Sequence, residues 1–261
     1  MVEESGGEGP EDTGDVVAVE LPTLTACPGA DFVRSEGWYP ANPWWYLRST
    51  EADMWGTWAA LERAAAATGC PSQATEGGVT TFSGDCSAAD VEFSGMWETG
   101  VPGGSNGLEY VVQDMTAKVA LGDHPQDLSA SGTFYWDRTV SDGRTVAFVD
   151  RAEGHRSIHR GDDLDGEFTF EGLNVVQDTE QFVASGAVTV DWAYGAGRYC
   201  PLVDLHAVPD CPEEPDGYYA VQGAVTWLMV ANGSDACDGC VDVYTDGVWQ
   251  ELFCELPQLL K

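Results

Sequence analysis

Positive charge is scarce in this chain. Forty-four acidic residues stand against 11 basic ones, and only two of those are lysines, Lys118 and Lys261, so the formal net charge is −33 over 261 residues. A surface of that sign repels phosphate backbones, which excludes nucleic acid as a partner. Anionic lipid headgroups are excluded on the same ground. Long apolar runs are also lacking. The longest uncharged stretch, residues 218–234, is broken by Gln222, Gly223, Thr226 and Asn232 and is too short for a transmembrane segment. No apolar leader follows Met1, which is succeeded by Glu3, Glu4 and Glu8. Helical periodicity occurs once only, which argues against βαβ units and a parallel sheet.

Cysteine, by contrast, is plentiful. The eight are Cys27, Cys70, Cys86, Cys200, Cys211, Cys237, Cys240 and Cys254. The number is even and no zinc or redox spacing supports another use, so disulfides in an oxidising compartment are expected. Cys237-Asp238-Gly239-Cys240 is a CxxC, but its flanks are strand-like and its Asp-Gly reads as a tight turn. A carboxylate beside a thiol raises its pKa, the opposite of what a reactive thiol needs. The expected pairs are Cys70–Cys86, Cys200–Cys211 and Cys237–Cys240, which leaves Cys27–Cys254 by elimination. The chain is therefore expected to be extracytoplasmic, whether secreted, periplasmic or on the cell surface, with a signal segment removed ahead of Met1. Residues 1–20 carry seven acids and no base, and they read as a disordered tether. This segment resembles the spacer of a bacterial lipoprotein, although the cysteine that would carry the lipid is not in the sequence.

Residues 21–72 read as an aromatic-rich helical subdomain. Trp38, Tyr39, Trp44, Trp45, Tyr46, Trp55 and Trp58 crowd its middle, and Pro40 and Pro43 mark a loop. A helix is expected from Thr50 as N-cap, with Glu51 and Asp53 in its first turn. Met54, Trp55, Trp58, Leu61 and Ala65 form its apolar face, Gly69 its C-cap, and Pro71 bars continuation.

Residues 73–261 read as an antiparallel β domain. Period-two segments rich in Val, Thr and aromatics fall at 91–99, 109–119, 129–138, 144–150, 167–171, 182–192, 218–230 and 241–252. Turn signals are Ser141-Asp142-Gly143, Asp165-Gly166, Asp216-Gly217, Asp238-Gly239 and Asp246-Gly247. Pro201, Pro209, Pro212 and Pro215 suggest a long irregular loop. A degenerate echo links 107–114 plus 129–137 to 172–178 plus 183–192. Shorter copies surround Gly95 and Gly223. This reads as a repeated strand pair in which Gly95, Gly132, Gly186 and Gly223 mark bulges or close strand crossings. The expected fold is mainly β: an antiparallel β-sandwich or large twisted β-meander with one short N-terminal helix, stapled by disulfides.

Few residues suggest chemistry. Trp38, Trp44, Trp45 and Tyr46 could stack on sugar rings or on a partner, or could bury against helix and sheet. In an extended chain Trp44 and Trp45 would point opposite ways. Arg144, Arg151, His155, Arg156, His159 and Arg160 make a basic island that could grip an anion. Self-pairing of its arginines with Asp162, Asp163 and Asp165 is the favoured reading. His155 and His159, on a strand, would lie about 13 Å apart and could not share a metal. No cofactor is specified. Asp162, Asp163 and Asp165, or the loop around Asn232, Ser234, Asp235 and Asp238, could hold Ca²⁺ outside an EF-hand pattern. Gly103-Gly104-Ser105-Asn106-Gly107 matches GxSxG but lacks the strand-to-helix context of a nucleophile elbow. The function expected is non-catalytic, structural or binding, with a polysaccharide or cell-surface protein as partner. The alternative is an extracellular hydrolase, such as a glycosidase, working through paired carboxylates.

Overall fold

The computed structural model describes residues 21–34, 43–88, 90–101, 107–121, 124–142, 144–160, 164–192, 195–209, 211–232 and 240–253. The architecture is mainly β. In chain order it comprises β1 (Val33–Arg34), α1 (Pro43–Thr68), β2 (Ser72–Glu76), β3 (Val79–Ser83), β4 (Cys86–Ala88), β5 (Val91–Gly100), β6 (Leu108–Leu121) and β7 (His124–Ser141). Then follow β8 (Arg144–Arg160), β9 (Leu164–Gln177), β10 (Gln181–Trp192), β11 (Gly195–Val208), β12 (Cys211–Gln222), β13 (Thr226–Asn232), β14 (Val241–Thr245) and β15 (Val248–Phe253). Every strand pairs antiparallel in one meandering sheet that runs from β2, β3 and β5 in sequence order to β15, with β4 beside β5 and β1 beside β11. Among the described residues no ladder joins the two ends, so the meander does not close into a barrel.

Alternation selects one inner face. On β7 it carries Leu128, Ala130, Phe134 and Trp136, and on β8 Phe148, Ala152 and Ile158, all buried in one cluster with the apolar side of α1. Ring contacts run across this face from strand to strand. Phe82 meets Trp58 at 4.4 Å, Trp58 meets Trp97 at 5.3 Å, Trp97 meets Tyr110 at 5.6 Å and Tyr110 meets Trp136 at 5.3 Å. Phe134, Phe170 and Phe168 continue the series to Trp192. Each buried ring removes roughly 150–250 Å² from water, so these rings are the main apolar contribution to the core.

The glycine echo has a structural cause. Gly95, Gly132 and Gly186 each sit where a ladder slips register. Gly132 and Gly154 face each other across β7 and β8 with φ of +128° and +146°. A Cβ on Gly132 would lie 2.2 Å from the Glu153 carbonyl oxygen and 2.6 Å from the Cα of Gly154. Only glycine permits that approach, and the bulges beside it bend the strands. Gly223 differs: it lies in a bend after β12, against the backbone of Phe32.

Several expectations need correction. The helix starts at Pro43, seven residues before Thr50, because a proline that lacks an N–H fits a first helical turn as well as a loop. Thr50 and Asp53 are therefore buried mid-helix rather than capping. Trp44, Trp45 and Tyr46 fall in the first turn of α1, not in extended chain, and the described side chains begin at Leu47. Gly69 does end the helix, with φ +76° and its N–H bonded to the Ala65 carbonyl at 2.8 Å. Pro201 lies within β11, and Pro212 and Pro215 lie within β12, not in a loop. Pro201 is tolerated because the β10–β11 ladder is interrupted between Val203 and Tyr199, so its missing N–H breaks no bond on that side. Asp165-Gly166 and Asp216-Gly217 are inside strands. The segment 218–230 is two strands separated by a bend at 223–225.

The disulfides also differ from expectation. Cys70–Cys86 forms as expected. Cys200 pairs with Cys27, so neither Cys200–Cys211 nor Cys27–Cys254 exists. The pairing follows from the path of residues 21–34, which cross the outer face of β11–β14. Leu21 and Leu24 there pack against Ala220, Leu228, Val230 and Tyr244. Backbone bonds from Asp31 and Phe32 to the Arg198 carbonyl, both 3.0 Å, hold the segment beside Cys200. Cys211 and Cys240 are disulfide-bonded as well. Cys237 and Cys254 lie outside the described residues, and with them the Cys237–Cys240 pair.

Candidate functional site

The face that α1 turns to the sheet is not purely apolar. Thr50, Asp53 and Thr57 share it with Leu47, Met54, Trp58 and Leu61, and all are buried. Asp53 pairs with Arg156 of β8, whose guanidinium is 2% exposed and lies 4.9 Å from the centre of the Phe168 ring. Beside them the buried Gln126 amide donates to Thr57 Oγ1 at 2.7 Å and to the Asp53 carbonyl at 3.2 Å. A buried ion pair repays its desolvation only when its geometry is good, so this layer fixes where the helix sits more than it adds stability.

One turn nearer the helix start, a second ionic group opens to solvent. Arg138 of β7 donates through Nη2 to Glu51 Oε2 at 2.6 Å and to Asp150 Oδ2 at 3.1 Å, and through Nη1 to Asp150 Oδ1. Arg48 reaches the same Glu51 oxygen at 3.7 Å. Both guanidiniums lie over Phe148, at 5.6 Å for Arg48 and 5.2 Å for Arg138. Asp150 is fully buried, and burial pushes its carboxyl up to about 6 although Arg138 pulls the other way. Burial and the neighbouring Arg138 charge lower the Arg48 pKa.

Next to this group is a cavity of about 450 Å³ lined by Arg48, Glu51, Ala52, Trp55, Leu108, Tyr110, Trp136 and Arg138. It lies between α1 and the strands β6 and β7. Trp55 stands at its side with 60% of its surface exposed. Its sequence spacing placed Trp55 on the apolar face of the helix, but in the fold it points away from the core. Tyr110 and Trp136 are almost wholly buried, and the Tyr110 hydroxyl, the Trp136 indole N–H and the Arg138 Nε–H have no hydrogen-bond partner among the described residues. Burial, then the charges of Glu51 and Glu62, push the Tyr110 pKa upward, so its hydroxyl stays protonated as a donor.

The residues singled out from sequence do not converge on this cavity. Trp38 lies outside the described residues, and of Trp44, Trp45 and Tyr46 only the helical backbone is described. The basic island is divided by strand alternation. Arg156 points inward to Asp53, whereas Arg151, His155 and His159 belong to the outer face of β8. Among the described residues Arg156 pairs with an acid 103 residues away. His155 Nδ1 is 3.3 Å from Thr169 Oγ1. Arg151 lies over Tyr135 at 5.4 Å and donates to Asn174 Oδ1 at 3.2 Å. Arg151, Tyr135 and Asn174 line a shallow outer concavity of about 420 Å³ with Glu109, Thr133 and Glu153. Arg160 is described in backbone only. Asp162 and Asp163 lie outside the described residues, as does the side chain of Asp165 and the loop at 233–239. Among the described residues no three His, Cys, Asp or Glu side chains group as metal ligands would.

Sequence spacing marks neither Arg138 nor Asp150 as a site residue, and it assigns Glu51 only to the first turn of a helix. One signal was present: Asp150 has the same strand parity as Phe148 and Ala152, so an alternating strand must carry it inward. No family model matches the chain, and no curated protein or solved structure is similar to it.

Proposed function

We propose that the chain is a non-catalytic binding protein of an extracytoplasmic compartment, and that its ligand, a polysaccharide or a cell-surface protein, engages the cavity beside α1. The observation that carries the reading is the pairing of an exposed indole, Trp55, with buried donors, the Tyr110 hydroxyl, the Trp136 N–H and the Arg138 Nε–H, that find no acceptor among the described residues. A concave apolar wall with a few convergent polar groups is the ordinary form of a ligand site. The compartment is supported by the cysteines: the six described ones are all disulfide-bonded.

The hydrolase reading has one observation in its favour. Glu51 and Asp150 are bridged by Arg138, and Asp150 has a raised pKa, as a general acid would. Against it, Asp150 is fully buried and does not line the cavity, so among the described residues only Glu51 offers a carboxylate there. Glu51 is itself held by two guanidiniums. The test is to incubate the protein with soluble polysaccharides and measure retention and release of reducing ends in the same samples. Retention without release supports binding. Release that disappears in Glu51→Gln would overturn it in favour of hydrolysis.

A further inference from the structure

We infer that the cavity beside α1 takes an uncharged sugar ring, stacked on Trp55 and hydrogen-bonded from the cavity floor; this deepens, and rests on, the binding reading above. Charge decides first. The wall sets two guanidiniums, Arg48 and Arg138, against the Glu51 carboxylate, with the buried Asp150 carboxyl behind Arg138. Both Nη groups of Arg138 are already committed to those carboxylates. An anion therefore finds the Arg138 fork occupied and Arg48 set beside Glu51, and a net charge of −33 opposes its approach. A cation would have to settle beside two arginines.

The neutral polar groups decide next. The Trp136 N–H and the Tyr110 O–H are desolvated donors, and each such donor left unmatched costs about 1–3 kcal/mol. A purely apolar ligand would leave them unmatched. A ligand rich in hydroxyls supplies donors for Glu51, and acceptors for those two groups once side chains at the wall shift to admit it. The exposed face of Trp55 suits a partner with an apolar C–H face, which a pyranose ring presents together with its hydroxyls. The volume, about 450 Å³, lies at the small end of ligand sites, near a terminal ring rather than a long chain segment.

The experiment is a calorimetric titration of the full chain with neutral gluco-, galacto- and manno-oligosaccharides and with their uronate counterparts. Wild type, Trp55→Ala, Trp55→Phe and Trp249→Ala are compared; Trp249 is a second exposed indole, far along the sheet on β15. The inference expects saturable binding of a neutral sugar. Affinity should fall at least about ten-fold in Trp55→Ala, recover in part in Trp55→Phe and stay unchanged in Trp249→Ala. Tighter binding of the uronate form, with the same dependence on Trp55, overturns the uncharged ligand and leaves the binding site standing. Binding indifferent to Trp55 overturns the stacked ring. No binding of any saccharide overturns the sugar, and a cell-surface protein is then the ligand the binding reading has left.

Discussion

Replacing Gly132 by alanine should break the centre of the sheet. The new Cβ would meet the Glu153 carbonyl oxygen at 2.2 Å, and both neighbouring atoms belong to backbone. No rotamer change relieves such a clash, so β7 and β8 must separate locally. Holding alanine at φ +128° costs about 1–3 kcal/mol, and forcing atoms into a closed space costs a similar ~1–3 kcal/mol. Together these come to about 2–6 kcal/mol. The control is Gly77→Ala, where φ is +59° and nothing lies within 4 Å of the added atom. There only the left-handed backbone cost of about 1–2 kcal/mol applies. Urea unfolding followed by tryptophan fluorescence measures both. A loss in Gly132→Ala no larger than that in Gly77→Ala would refute the claim that strand contact at this glycine shapes the sheet.

Other perturbations read other parts of the structure. Asp53→Ala should cost about 3–5 kcal/mol because it removes the carboxylate paired with the buried Arg156, and Asp53→Leu with Arg156→Met should recover most of that by thermal unfolding. Asp150 has a folded pKa of about 6 against an ordinary 3.8, so its contribution is full below about pH 4 and is lost as pH rises through 6. Stability measured from pH 4 to 7 should therefore fall relative to Asp150→Asn across that window and run parallel above it; wild-type stability that rises relative to Asp150→Asn across the same window would contradict the buried carboxyl. Replacing Cys27 and Cys200 by serine should lower stability by about 2–5 kcal/mol. It should also open residues 21–34 to chymotrypsin at Leu24 or Phe32, which mass spectrometry of the fragments would show.

The β architecture was legible because period two is a local signal. Segments at 91–99, 109–119 and 182–192 alternate on either side of a register slip, and all three are strands. The glycine echo was legible for the same reason: Gly132 and Gly186 punctuate apolar alternation where the ladders slip. Punctuation misled where one residue type serves two states. Pro43 reads as a loop but opens a helix, and Pro201 reads as a breaker but sits opposite a ladder gap. The cavity was illegible because its walls come from distant chain. Glu51 and Arg138 are 87 residues apart, and no spacing rule connects a helix to a strand it will cover. Trp55 shows the limit of a 3–4 residue pattern, since its neighbours Met54 and Trp58 are buried and it is not.

The central claim is that the site beside α1 is where this protein meets its ligand, and hydroxyl-radical footprinting read by mass spectrometry tests it without knowing the ligand in advance. The protein is labelled with and without soluble polysaccharide at concentrations where it is retained. The account predicts loss of labelling at Trp55, with Trp249 and Tyr135 labelled equally in both samples. Protection of Tyr135 in the outer concavity, with Trp55 labelled as before, would contradict it.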